Sequence, residues 1–231
     1  IANRVSILAT GLAIDPIIVA QKAIAGLYDN ITTTEIDNYL AETAAALTVE
    51  HPDYSYLASR IKANALHKDT PGFFISSRLL YEDGLLNNEY YKIITENIKV
   101  IESIIDYDRD YHFDYFALTT LVRAYLLKIN GKVVERPQDL WMRVAITVSG
   151  PPFDVEKIRT TYTAISKGYY THATPTLFNS GLKMQQLSSC FLIGMEDDSI
   201  EGIFNTIKDC ALISKTAGGI GLHAHNIRAS G

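Results

Sequence analysis

Cysteine is scarce in this 231-residue chain, which contains only Cys190 and Cys210. Two cysteines cannot form the disulfide framework of a small secreted domain, so the sequence favours a reducing compartment, the cytoplasm. Long apolar runs are also lacking. The most apolar stretch, residues 14–28, contains charged residues and a proline and is shorter than the ~18 residues that a membrane-spanning helix needs. We therefore predict neither membrane insertion nor a signal peptide, since no basic segment precedes an unbroken apolar core.

An excess of basic residues is missing as well. Lys and Arg together number 21 against 26 for Asp and Glu, which gives a formal net charge of −5. Such a chain lacks the electrostatic footprint of a nucleic-acid-binding protein. Gly and Pro number only 14 and 7, so collagen-like and low-complexity classes are excluded. A hydrophobic content of 47% and a mean hydropathy of +0.04 are typical of an ordinary globular protein.

The first 70 residues show apolar side chains at helical spacing. Pro16 suits the first turn of a helix. Thr32 and Glu35 match a capping box that starts the next helix. A further helix follows the break at His51-Pro52-Asp53 and ends near Asp69. The sequence Thr70-Pro71-Gly72 then marks a candidate domain boundary.

The pattern after this boundary predicts four helices and a hairpin. The helices are expected near residues 85–105, 115–125, 137–148 and 153–170. Asn130-Gly131, between alternating apolar residues, indicates a two-residue hairpin turn. Residues 173–186 are expected to form a loop, residues 187–193 a buried strand and residues 200–215 a helix. The glycine-rich segment 217–222 is expected to be a turn that enters another strand.

Few of these residues suggest chemistry without further information. The glycines at 218–221 match neither a P-loop nor G-x-G-x-x-G, so a helix stop followed by a tight turn is favoured. An isolated Cys190 in a strand is more often inert packing than a reactive thiol. Asp198 and Ser199 could bind a phosphate at a helix start, but helix capping is slightly favoured.

Three further candidates also favour a purely structural interpretation. Thr33 and Asp37 share one helical face, where a solvated polar surface is the better interpretation. Lys68 at a helix end is favourable to the helix dipole and needs no other role. His223 and His225 are two residues apart, but no third ligand completes a zinc set, so no metal site is predicted.

Longer motifs carry more information than these single residues. They are Thr171-His172-Ala173-Thr174-Pro175-Thr176-Leu177-Phe178-Asn179, Gln186-Leu187-Ser188-Ser189-Cys190-Phe191-Leu192, Asp197-Asp198-Ser199-Ile200-Glu201-Gly202 and Ser214-Lys215-Thr216-Ala217-Gly218-Gly219-Ile220-Gly221. In order and spacing they closely resemble the large subunit of class I ribonucleotide reductase, eukaryotic type. The resemblance extends upstream through Leu127-Lys128-Ile129-Asn130-Gly131-Lys132 and His51-Pro52-Asp53-Tyr54 to cover the whole chain.

The resemblance implies a mainly α-helical N-terminal fragment of that subunit. Residues 1–72 would be an ATP-cone, a regulatory domain, without its initial strands. Residues 73–185 would be the helical N-terminal domain. Residues 186–231 would begin the ten-stranded α/β barrel and include the helix of the specificity site.

The resemblance also implies roles for individual residues. Cys190 would be one thiol of the redox pair, with its partner outside this chain. The substrate would contact Thr174, Ser189, Gly218 and Gly219. The allosteric specificity site would include Asp198, Ser199, Ile200, Lys215 and Arg228. The allosteric activity site would include Thr33, Asp37 and Lys68.

The implied activity is radical-based reduction of ribonucleoside diphosphates to 2′-deoxyribonucleoside diphosphates. ATP, dATP and other dNTPs, with Mg²⁺, would act as effectors, and no side chain of this chain would bind a metal. A small di-iron subunit would supply the radical, thioredoxin or glutaredoxin the electrons, and the chain would form a homodimer or higher oligomer. Since most catalytic residues of the family lie downstream of the region that this chain matches, the fragment alone is expected to be inactive.

Two alternatives remain open. The chain could be a nucleotide-binding ATP-cone module with no reductase attached, or a helical interaction protein with a purely structural glycine turn. The Ser188-Ser189-Cys190 segment argues against the first alternative, because a sensor would not need it.

Overall fold

The computed structural model describes residues 1–229, and these are mainly helical. The α-helices are α1 Ala2–Leu8, α2 Pro16–Ala25, α3 Thr33–Ala46, α4 Asp53–Asp69, α5 Phe73–Glu82, α6 Asn88–Ile104, α7 Tyr115–Thr120, α8 Pro137–Ser149, α9 Val155–Ser166, α10 Thr174–Asn179 and α11 Ile200–Lys215. Short 3-10 helices span Leu47–Val49 and Tyr107–His112, and a π-helical turn, Leu121–Tyr125, follows α7. Among the described residues, no helix combines the length and apolarity required to cross a membrane.

Two small sheets complete the structure. Strands β1 Lys128–Ile129 and β2 Lys132–Val133 form an antiparallel hairpin. Strands β3 Cys190–Gly194 and β4 Gly219–His223 pair in parallel, with α11 as the connection between them. Parallel pairing requires such a crossover, and here the helix supplies it.

The predicted helix starts are confirmed by their hydrogen bonds. The Asp15 carboxylate accepts a bond from Ile17 N at 2.9 Å, directly before Pro16 opens α2. At α3 the Glu35 amide donates to Thr32 Oγ1 at 3.2 Å, and Thr32 N donates to Glu35 Oε2 at 2.8 Å. Both halves of the capping box are therefore present.

The predicted hairpin is also confirmed. Asn130 and Gly131 have φ angles of 50° and 79°, the left-handed values that a type I′ turn requires at both central positions. Lys128 pairs with Val133, and Ile129 pairs with Lys132.

The buried apolar side chains form two clusters. The smaller cluster lies between α1, α2, α3 and the first half of α4, and includes Val19, Leu40, Leu57 and Ile61. The larger cluster starts at Leu66 and is centred on α6, α8 and α9. One core thus gives way to the other within α4. The bounds 1–72, 73–185 and 186–231 stay predictions.

One secondary-structure prediction is wrong and another is confirmed only in part. Residues 173–186 are not all loop, because α10 occupies Thr174–Asn179 with Pro175 in its first turn, where proline is well tolerated. The strand predicted over residues 187–193 is present in part, but it is shorter and is not buried. β3 begins only at Cys190, and Leu192 is 94% exposed, since within residues 1–229 β3 has β4 as its single strand neighbour and most of the pair lacks a covering layer.

Candidate functional site

The start of β3 brings the candidate thiol against a glycine. Cys190 is a free, exposed cysteine whose register partner on β4 is Gly219. Gly219 N donates to the Ser189 carbonyl at 2.7 Å. A Cβ at Gly219 would lie 3.2 Å from that carbonyl and 3.8 Å from the Cys190 sulfur. Because glycine has no Cβ, the Cys190 sulfur stays accessible on the side that faces Gly219. A larger residue at position 219 would cover part of that side.

The preceding turn needs glycine for a different reason than predicted. The left-handed residue that ends α11 is Ala217, with φ 64°, and not a glycine. Gly218 N donates to Ile213 O at 3.2 Å, and Ala217 N donates to Ser214 O at 3.1 Å, the pair of bonds of a Schellman motif. A Cβ at Gly218 would lie 2.6 Å from Ile213 Cγ2 and 2.9 Å from Phe191 Cε2. Close packing, not backbone conformation, requires this glycine.

Helix α10, which carries Thr174, is bonded to the chain that enters β3. Asn179 Nδ2 donates to Gln186 O at 2.7 Å, and Thr176 Oγ1 donates to Leu187 O at 2.9 Å. The Thr174 hydroxyl lies 3.3 Å from the Tyr125 hydroxyl. The structure thus gathers Ser189, Cys190, Gly218 and Gly219 directly and ties the helix of Thr174 to them.

A buried ion pair holds the other end of α10. Arg143 on α8 binds Glu135 twice, with Nε to Oε1 at 2.6 Å and Nη2 to Oε2 at 3.1 Å. The same guanidinium donates to the carbonyls of Ser180, at 2.7 Å, and Leu177, at 3.3 Å. Leu177 lies in the last turn of α10 and Ser180 caps it. Neither carbonyl has a helical partner, so Arg143 fixes the C-terminal end of the helix. Nothing in the sequence pattern indicates this pair.

The start of α11 brings together most of the predicted specificity residues. Arg228 Nε lies 3.1 Å from Asp198 Oδ2. Ser199 caps the helix by accepting from Gly202 N at 3.0 Å, and its hydroxyl donates to Asp197. The Ile200 side chain is exposed. Helix capping at Ser199 is confirmed, and an Asp198–Arg228 pair is added to it.

Lys215 does not join this group within one chain. It ends α11, whereas Ile200 begins it. At 1.5 Å per residue, the two ends are about 22 Å apart. One copy of the chain therefore presents Lys215 and Asp198 at opposite ends of the helix.

The third group centres on Asp37, which is only 5% exposed. Arg4 Nη1 binds Asp37 Oδ1, and Lys68 Nζ lies 3.4 Å from Asp37 Oδ2. Arg4 is held in turn by Asn64, whose Oδ1 accepts from Nε at 3.1 Å. The interpretation of this face as a solvated polar surface is wrong for Asp37, although Thr33 is exposed. Arg4 was missed because nothing in the sequence links it to a residue 33 positions away.

A second buried polar network lies where α4 meets the larger core. His67 Nε2 and Asp110 Oδ2 are 2.7 Å apart, and Asp110 is fully buried. Burial raises the pKa of Asp110, while its hydrogen bond to His67 acts in the opposite direction. Nearby, burial raises the pKa of Asp139 from 3.8 to about 8, although its carboxylate accepts from the Tyr107 hydroxyl at 2.7 Å and from Arg136 N at 3.0 Å. None of these residues was singled out from the sequence.

His223, the last residue of β4, and His225 lie together. The rings of His223 and His225 are stacked, with centroids 4.1 Å apart. Within residues 1–229 no three His, Cys, Asp or Glu side chains gather into a group that could hold a metal ion.

Two domain models of one protein family match the chain. Residues 111–185 match the model "Ribonucleotide reductase, all-alpha domain" and residues 188–231 match "Ribonucleotide reductase, barrel domain". Together these models cover just over half of the chain. It belongs to the ribonucleotide reductase large-subunit family. The all-alpha match agrees with the helices α7 to α10, and the barrel match with the parallel strands β3 and β4.

Similar curated proteins agree along the full chain. It is 48% identical to the ribonucleoside-diphosphate reductase large chain 2 of Saccharomyces cerevisiae, over 100% of this chain and 28% of that protein. It is 48% identical to the large subunit of Arabidopsis thaliana, over 94% of this chain and 28% of that protein. It is 44% identical to the large subunit of Variola virus, over 100% of this chain and 31% of that protein. The chain thus spans less than a third of the length of these relatives.

Proposed function

We propose that the chain is part of the catalytic subunit of a ribonucleoside-diphosphate reductase and supplies one of its two redox thiols. The observation that carries the proposal is the exposed Cys190 at the start of β3, opposite Gly219 and beside Ser189. In the overall reaction the substrate loses its 2′-hydroxyl as water and gains a hydrogen in its place. The two electrons and two protons come from the Cys190 thiol and a second thiol, which become a disulfide. A thioredoxin or glutaredoxin then reduces that disulfide, and a di-iron small subunit supplies the radical.

The surroundings of Cys190 support a substrate site for a nucleoside diphosphate. Thr174 and Ser189 offer hydroxyl groups for a phosphate, and the backbone at Gly218 and Gly219 permits close approach. Arg143 does not line this site, but it fixes the C-terminal end of α10, whose first residue is Thr174.

The start of α11 supports a specificity site for a dNTP. Ser199 and Ile200 lie at the positive end of a sixteen-residue helix, and Arg228 adds a cation suited to a triphosphate. Lys215 would complete the site from a second copy of the chain. Two copies of α11 packed antiparallel would bring the Lys215 end of one beside the Asp198 end of the other. The exposed apolar side chains of α11 (Ile200, Phe204, Ile207 and Leu212) support such a homodimer.

The Asp37 group supports an activity site for ATP or dATP. Arg4 and Lys68 are cations held beside a single buried carboxylate, so they can turn to the phosphates of a nucleotide with its Mg²⁺. Thr33 on the same helix adds an exposed hydroxyl. A cytoplasmic location agrees with the free thiols and stays a prediction.

An ATP-cone module without reductase activity is the weaker proposal. A cone would account for Thr33, Asp37 and Lys68. It would not account for the barrel-domain match over residues 188–231, nor for an exposed cysteine at the start of β3.

The experiment that tests the redox role compares two cysteine substitutions in the complete reductase. Cys190→Ser should abolish multiple turnover of a nucleoside diphosphate with thioredoxin as reductant, because no disulfide can form. Cys210→Ser on α11 is the matched control and should retain turnover. Sustained turnover by Cys190→Ser would refute the proposal.

A further inference from the structure

The last turn of α4 carries two adjacent polar side chains that reach in different directions. Lys68 Nζ lies 3.4 Å from Asp37 Oδ2 on α3. His67 Nε2 lies 2.7 Å from Asp110 Oδ2, in the 3-10 helix Tyr107–His112. Successive residues of an α-helix are rotated by about 100°. The last turn of α4 therefore contacts the Asp37 group through Lys68 and contacts Asp110 through His67.

A hydrogen-bonded path continues from Asp110 into the larger core. Gln138 Nε2 on α8 donates to Asp110 Oδ1 at 3.0 Å. Tyr162 on α9 donates its hydroxyl to Gln138 Oε1 at 2.8 Å. Asp110, Gln138 and Tyr162 are all fully buried. A satisfied buried network of this kind is rigid and transmits displacement, because no member can move without leaving another unpaired.

The end of α4 is also held by its backbone. Arg136 Nη2 donates to the carbonyls of His67, at 3.0 Å, and Thr70, at 2.6 Å, and its Nε donates to Thr70 Oγ1 at 3.0 Å. The larger apolar cluster takes over from the smaller one between Ile61 and Leu66. The last turn of α4 is thus fixed to the part of the chain that contains α8 and α9, while Lys68 extends back to α3.

We infer that His67 is a positioning residue that couples nucleotide occupancy at the Asp37 group to α8 and α9 through Asp110. The inference rests on the proposed activity site. Phosphate oxygens compete with Asp37 for Lys68 and Arg4, because phosphates and carboxylates both form charge-assisted hydrogen bonds with these cations. When Lys68 turns to a nucleotide, the last turn of α4 is no longer held to α3 and rotates within the limits that its Arg136 bonds allow. A directional hydrogen bond of 2.7 Å at the adjacent His67 cannot stay unchanged during that shift.

The test uses the complete reductase, with both subunits, and four substitutions, one of which, Asp110→Asn, keeps the shape of the Asp110 side chain without its charge. His67→Leu removes the bond to Asp110, and His67→Gln keeps an N–H donor on a side chain of similar reach. His112→Gln is the matched control, because His112 is an exposed histidine of the same 3-10 helix. The readouts are ATP and dATP binding by equilibrium dialysis, the ratio of turnover with ATP to turnover with dATP, and hydrogen exchange of residues 137–149 with each nucleotide.

The expected result separates binding from response. The wild-type turnover ratio should lie in the range of about 5–150-fold that is typical of allosteric coupling. His67→Leu should bind both nucleotides within about threefold of wild type, while its turnover ratio falls to within about twofold of unity. Its hydrogen exchange in α8 should no longer depend on the nucleotide. His67→Gln should restore much of the response, and His112→Gln should match wild type.

Two results would overturn the inference. One is a full nucleotide response in His67→Leu with normal binding. The other is loss of binding in both His67→Leu and the isosteric Asp110→Asn, which would make His67 part of the nucleotide site itself. A wild-type enzyme that binds neither ATP nor dATP at the Asp37 group would instead refute the activity site, and with it this inference.

Discussion

Removal of Arg143 should be among the most damaging single changes in the larger core. Arg143→Met leaves Glu135, which is 1% exposed, with only Leu127 N as donor, at 3.0 Å, and leaves the Ser180 and Leu177 carbonyls without theirs. Loss of one partner of a buried ion pair costs ~3–5 kcal/mol. With a urea m-value of about 2 kcal/mol per molar, the unfolding midpoint should fall by about 1.5–2.5 M.

The fluorescence of Trp141 is the appropriate probe, because it is the single tryptophan of the chain and is buried on α8 two residues before Arg143. Glu135→Met should be similarly destabilising, and the double substitution should recover about 2–3 kcal/mol relative to the sum of the two. Arg78→Met is the control, since its ion pair with Glu82 is exposed and should be worth at most ~0.5 kcal/mol. A loss below about 1 kcal/mol in Arg143→Met, or additive effects in the double variant, would refute the reasoning.

Three further substitutions should have measurable effects on stability or on nucleotide binding. Because the native Asp139 retains a proton that the unfolded chain releases, the free energy of unfolding should decline as the pH rises from about 4 to 8. Asp139→Asn should remove this decline in urea titrations at several pH values. An equal decline in wild type and variant would contradict the raised pKa of Asp139. Gly202→Ala should weaken dTTP binding at least ~10-fold, because its Cβ would lie 2.8 Å from Asp197 N, whereas Gly194→Ala enters open space and should bind normally. Thr32→Ala should destabilise the chain by ~1 kcal/mol in thermal unfolding, and equal loss in the neighbouring Thr34→Ala would argue against the capping box.

Local signals in the sequence predicted those parts of the fold that depend on nearby residues. Thr32 with Glu35, Pro16 after Asp15, and Asn130-Gly131 each determine a structure within a few positions, and each prediction is confirmed. The loop predicted over 173–186 was wrong because Pro175 and Asn179 usually mark irregular backbone. Here the proline opens a short helix that is stabilised by Arg143 from a distant segment.

Burial of charged residues was the part that the sequence could not indicate. The segment Asp106-Tyr107-Asp108-Arg109-Asp110 has the composition of an exposed polar break, yet Asp110 is fully buried. Its partners, His67 and Gln138, are 43 and 28 positions away. Asp37 is likewise buried only because Arg4 and Lys68 reach it from other helices. The residues proposed for the activity site could be named from the family resemblance, but their ion pairs required the structure.

The length of α11 has a consequence for how effector binding should depend on protein concentration. If Lys215, about 22 Å from the start of the helix, completes the dNTP site of a second copy, the ligand binds tightly only to the dimer. By mass action, dilution below the dimer dissociation constant should then weaken the apparent dNTP affinity. Saturating dNTP should lower that dissociation constant by the square of the affinity ratio between dimer and monomer, because a dimer has two such sites. Effector titrations at a single protein concentration would therefore report dimerisation and binding together.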